Sequence, residues 1–78
     1  MIFLLKGSEI MPLQYKIDVI NALKLKGYNT NLIRQKGLLS ESTLTRLRKG
    51  EAISWNNLQT ICELLDCQPG DIIEYVEG

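Results

Sequence analysis

The chain has 78 residues, 45% of them apolar, with nine basic and nine acidic side chains, two cysteines and no histidine. That composition suits one small folded domain and excludes disorder. The apolar run at residues 2–5 is far short of the roughly 20 residues of a membrane span and of a secretory core segment, so neither membrane insertion nor export is expected. Catalytic constellations are missing, since there is no histidine, no zinc-spaced or CxxC cysteine pair and no Gly-rich phosphate loop; no enzyme, metal or cofactor is expected.

The zero net charge conceals a strong asymmetry. Residues 11–50 carry eight bases against Asp18 and Glu41, a net +6, and residues 51–78 carry six acids and no base. Segregation of this kind points to an anionic partner for the basic half. The alternative is that the two halves neutralise each other within the fold.

Residues 1–10, MIFLLKGSEI, read as a strand-like piece followed by a Gly-Ser turn. Met11 is a plausible second start codon, so these ten residues are expected to extend a domain spanning 11–78. Leu13, Tyr15 and Ile17 alternate with Gln14 and Lys16, the pattern of a short strand. A first helix is predicted over 16–26 from Ile17, Ile20 and Leu23, with Val19 and Ala22 alongside, Lys24 and Lys26 in its last turn and Gly27 as its stop. Asn29 or Thr30 caps a second helix through Leu32, Ile33 and Lys36, ending near Gly37. Ser40 caps a third that runs to Lys49 and stops at Gly50.

Ser54 caps a fourth helix, in which Leu58, Ile61, Cys62 and Leu65 sit at i, i+3, i+4 and i+7. Cys62 and Cys67 are expected to act as small apolar residues in a reduced, cytoplasmic protein. The tail QPGDIIEYV begins with a proline suited to a helix start, allows one tight turn and becomes strand-like at Ile73, Tyr75 and Val76. A terminal strand pair, 13–15 beside 73–76, must pack on helices, because an isolated two-stranded ribbon is marginal. The fold class is therefore all-α, with four to five short helices and short terminal β-strands.

The third helix, within SESTLTRLRKGEAIS, is the chemically informative one. At about 100° per residue, Leu44 and Leu47 face inward, while Ser42, Arg46 and Lys49 lie opposite with Thr45 at the edge. That outer face offers hydrogen-bonding groups and cations and no acid. A helix fits the major groove of B-DNA, where arginine can bond guanine O6 and N7 and hydroxyls can reach base edges or phosphates. With the short preceding helix it completes a helix-turn-helix, residues 41–49 being the recognition helix. Free backbone N–H groups at the starts of the second helix (Asn29, Thr30, Asn31) and fourth helix (Ser54, Trp55, Asn56) suit phosphates. Each site also has a plain alternative: Arg46 and Lys49 as solvated residues, Ser40 and Ser54 as caps alone.

The stretch LSESTLTRLRKGEAISWNNLQTICELLDCQPGDIIEYV resembles the small Cro/CI-type (XRE-like) helix-turn-helix regulators, with similarity over residues 11–76. The resemblance implies a compact, phage-repressor-like DNA-binding domain that regulates transcription. Base contacts then fall to Glu41, Ser42, Thr45 and Arg46, and phosphate contacts to Thr30, Lys49 and Ser54; Asn31, Ser40 and Asn56, at the helix starts, are further candidates for phosphates. Two departures stand out. The family glycine expected at Leu38 stands one residue earlier, at Gly37. Glu41 is acidic on a DNA-facing position, where it must accept from cytosine N4 or favour its own helix N-terminus.

The expected partner is double-stranded DNA, bound by a homodimer on half-sites roughly 34 Å apart, with no membrane and no small-molecule ligand. Residues 2–5 or Trp55 are candidates for the dimer interface, and partial core burial is the plainer role for Trp55. The rival reading is a protein-interaction module, such as an antitoxin or antirepressor, on the same fold.

Overall fold

Among the described residues, the four helices all begin with the same local device. In each, a side-chain oxygen accepts the backbone N–H three residues on: Asp18 from Asn21, Asn29 from Leu32, Ser40 from Thr43 and Ser54 from Asn57. Each cap satisfies an N–H that the helix itself cannot pair, and is worth about 1 kcal/mol. The computed structural model describes residues 12–77. Its elements are β1 (Leu13–Tyr15), α1 (Val19–Leu25), α2 (Thr30–Lys36), α3 (Glu41–Lys49), α4 (Trp55–Leu65), a 3-10 turn (Pro69–Asp71) and β2 (Ile73–Tyr75). The strand-like reading of residues 1–10 falls outside the described residues.

The helices also end alike. A left-handed residue follows each one, Gly27, Gly37, Gly50 and Asp66 in turn. The next N–H then folds back five residues: Tyr28 to Leu23, Leu38 to Ile33, Glu51 to Arg46 and Cys67 to Cys62. This closing motif pairs carbonyls that the last turn leaves orphaned.

The first helix is shorter than its periodicity suggested. It starts at Val19, because the Lys16 N–H donates to the Ile72 carbonyl oxygen (2.7 Å) and prolongs the strand pairing, and Asp18 then caps the helix. Ile17, assigned to the inner face of a 16–26 helix, therefore precedes the helix and is exposed. Asn29, rather than Thr30, caps α2, α3 matches its predicted limits, and Ser54 caps α4 as expected.

β1 and β2 form an antiparallel pair with Leu13 opposite Tyr75, Gln14 opposite Glu74 and Tyr15 opposite Ile73. Val76 lies past β2, yet its N–H still reaches the Pro12 carbonyl oxygen (2.6 Å). Packing holds this ribbon: Tyr15 and Ile73 lie against the core, and the Tyr15 hydroxyl donates to the Glu51 carbonyl oxygen (2.7 Å) beyond α3. Burial raises the Tyr15 pKa, which keeps that hydroxyl a donor. The core itself joins Val19 and Leu23 of α1, Ile33 of α2, Leu44 and Leu47 of α3, and Leu58, Ile61 and Leu65 of α4, closed by Leu39 and Ile72. α1 packs on both α3 and α4, so α3 is supported along its inner face.

Candidate nucleic-acid interface

α3 has one dry face and one wet one. Leu44 is fully buried and Leu47 nearly so, while Glu41, Ser42, Thr45, Arg46, Arg48 and Lys49 are all exposed. Burying two leucines supplies on the order of 3–6 kcal/mol, enough to fix the helix's rotation about its axis. The outward set is thus determined by what faces in.

The turn into α3 settles the displaced glycine. Gly37 takes the left-handed conformation (φ 64°) that closes α2, Leu38 is half-buried, Leu39 is buried and Ser40 caps α3. The four residues from Gly37 to Ser40 place glycine where the positive φ is needed, and two leucines anchor the remainder in the core.

A polar network missed by the sequence reading pins the start of α3 to α4. Thr43 is buried, at 3% exposure, on the inner side of α3. Its Oγ1 lies 2.9 Å from Ser40 Oγ and accepts from Asn57 Nδ2 at 2.9 Å, while Ser54 Oγ accepts from the Asn57 N–H. Thr43 stands four residues before the inward Leu47, a spacing that put it on the inner face; its donor on α4 had no signal in the local pattern.

Glu41 does not stand free over the outer face. It forms an ion pair with Arg34 of α2, spanning the turn, and both side chains remain exposed. The hydrogen bond from Arg34, with the charges of Arg34 and Arg48, holds its carboxyl below the usual carboxylate range. Glu41 also sits in the first turn of α3, where the helix dipole favours an anion. Among the described residues this is the one ion pair, and it lies inside the basic segment. Among the described residues no ion pair joins the basic half to the acidic half.

Two open clefts flank the outer face of α3. One, of about 490 Å³, is lined by Ser40, Ser42, Thr43, Arg46, Ser54 and Asn57 among others, and brings four of the predicted contact residues together between the starts of α3 and α4. The other, of about 600 Å³, holds Lys49 with Arg48 and Lys24, two bases outside the predicted contact set. Thr30, Asn31 and Asn56 line neither cleft: the first two occupy the first turn of α2, and Asn56 the first turn of α4, where its carbonyl accepts from Thr60. Trp55 corrects an expectation. It is 85% exposed, because the first helical position of α4 points away from the core that Leu58 and Ile61 enter.

Two short helices joined by a four-residue turn, the second showing hydroxyls and cations outward, define a helix-turn-helix domain. The sequence model of the Cro/C1-type HTH DNA-binding domain matches residues 18–78, and the chain belongs to that family. The uncharacterized HTH-type transcriptional regulator YozG of Bacillus subtilis (strain 168) is 38% identical over 66 residues, 83% of this chain and 77% of that protein. No solved structure matches the chain. Among the described residues no helix is long and apolar enough to cross a membrane, and no group of three or more His, Cys, Asp or Glu could hold a metal ion.

Proposed function

We propose that the protein is a cytoplasmic transcriptional regulator that binds double-stranded DNA in a sequence-specific manner and represses by occupying its site. α3 enters the major groove, with Ser42, Thr45 and Arg46 at base edges and Glu41 at the groove-entering end. Thr30, Asn31, Ser40, Lys49, Ser54 and Asn56 hold phosphates on either side, through N–H groups, hydroxyls and charge. The observation that carries this reading is the outer face of α3. Ser42, Thr45, Arg46 and Lys49 are exposed together on a helix whose other side is locked in the core, and the one acid within α3, Glu41, is engaged by Arg34.

Selection of bound duplexes from a random pool, with wild type and Arg46→Ala in parallel, tests it. Wild type should enrich a short motif, and Arg46→Ala should lose about 1–3 kcal/mol and relax one position. Lys49→Ala should weaken all sequences alike and lower the salt slope by about one. No enrichment by wild type at modest salt would overturn the DNA reading and favour an antitoxin- or antirepressor-like module. The support for that rival is an apolar groove of about 260 Å³ beside exposed Trp55 and Leu13.

A single helix reads few base pairs, so we further propose a homodimer on a two-fold site. The exposed Trp55 groove is its interface, and half-sites are roughly 34 Å apart. Light scattering that finds a monomer both free and on DNA would sink the dimer.

A further inference from the structure

The two cysteines stand outside the proposed DNA face, and the way α4 ends brings them together. After Leu65 the chain reverses at left-handed Asp66 (φ 55°), and the Cys67 N–H returns to the Cys62 carbonyl oxygen at 3.1 Å. In this motif the side chains at the two bonded positions are the pair that meets across the helix end. The other helices fill that pair with Leu23 and Tyr28, with Ile33 and Leu38, and with Arg46 and Glu51. In α4 it is two thiols.

The returning hydrogen bond holds the two Cα atoms within about 7 Å, at the reach of a disulfide. Both thiols are free, partly exposed, and line the same open cavity of about 390 Å³. Reagents in solution can therefore reach them.

We propose that Cys62 and Cys67 form a dithiol–disulfide pair, a modification site that a low-molecular-weight disulfide oxidises to a cross-link over the end of α4. One cysteine thiolate attacks a sulfur of the small disulfide, breaking its S–S bond and releasing one small thiol after protonation. The second cysteine thiolate attacks the protein sulfur of the mixed disulfide, forming the Cys62–Cys67 bond and releasing the second small thiol. Two protein thiols become one disulfide, and the small disulfide takes up both electrons and both protons.

Burial raises the Cys67 pKa, and Cys62, Asp71 and Asp66 add to the effect. Exchange is accordingly slow at neutral pH and is best followed under mildly alkaline conditions. The cross-link fastens α4 to the segment feeding the 3-10 turn and β2, at the opposite end of α4 from Ser54 and Asn57. Its expected effect is on stability, with DNA affinity unchanged.

The test treats the full chain with oxidised glutathione at mildly alkaline pH, followed by intact mass, thiol titration and thermal unfolding. The expected result is joint loss of both thiols, a mass lower by two hydrogens with no adduct, and a raised Tm that a reductant reverses. Cys62→Ser and Cys67→Ser should each stop at one glutathione adduct. Persistent single or double adducts on wild type would overturn the proposal. So would a cross-linked dimer, or thiols that react only after unfolding. If a serine variant fails to fold, the wild-type mass decides alone.

Discussion

α3 and α4 are built by the same rules and put to different use. Each is capped by a serine at its start, buries a stripe of leucine or isoleucine and closes with a left-handed residue and a returning N–H. Their exposed faces diverge. α3 shows Ser42, Thr45, Arg46, Arg48 and Lys49, whereas α4 shows Trp55, Asn56, Gln59 and Glu63 and carries no base. Backbone form and core burial are thus shared requirements, and the face left in water distinguishes a helix suited to a polyanion from one that is not. Net charge conveyed none of this, because the +6 of residues 11–50 and the −6 of residues 51–78 cancel in the sum.

The shared part of the comparison can be broken most forcefully in the core. Leu44 of α3 and Ile61 of α4 are both fully buried, so Leu44→Ala and Ile61→Ala should each cost about 2–5 kcal/mol in urea unfolding. A loss under about 1 kcal/mol for either would mean that the two helices are not equally load-sharing.

The joint between them is next in size. Thr43→Val keeps the shape and removes the hydroxyl that Asn57 and Ser40 use, leaving a part-buried amide short of a partner, at a cost of about 1–3 kcal/mol. Asn57→Ala alone and both changes together complete a cycle. Additive losses would show that Thr43 and Asn57 do not act as a unit.

The helix stops give the smallest and most discriminating contrast. Gly50 (φ 75°) closes α3 and Asp66 (φ 55°) closes α4. A Cβ at Gly50 would meet nothing within 4 Å, so Gly50→Ala isolates the backbone cost, about 1 kcal/mol of lost stability. Asp66→Gly should do the reverse and add up to about 1 kcal/mol, relieving the left-handed strain and removing an acid from a helix C-terminus. Thermal melts shifting in the same direction would refute the comparison.

The sequence by itself determined the helices, their order and most of their limits. Caps and stops act over three to five residues, as Ser40 with Thr43 and Gly50 with Glu51 show, so the information for them is local. It also separated the inner face of α3 from the outer, because Leu44 and Leu47 leave one orientation that buries both. The strand pair was legible as well, though only as two β-like segments that needed each other.

What the tertiary structure decided depends on residues distant in the chain. The α1 start moved because Lys16 bonds to Ile72, Thr43 found its donor in Asn57, and Glu41 turned to Arg34 across the turn. Trp55 was left in water because the core was already filled by Leu58 and Ile61. Periodicity reports which face a residue occupies along its own helix. Which partner meets it there is settled only when helices pack, because burial and hydrogen bonding between elements override what either segment prefers alone.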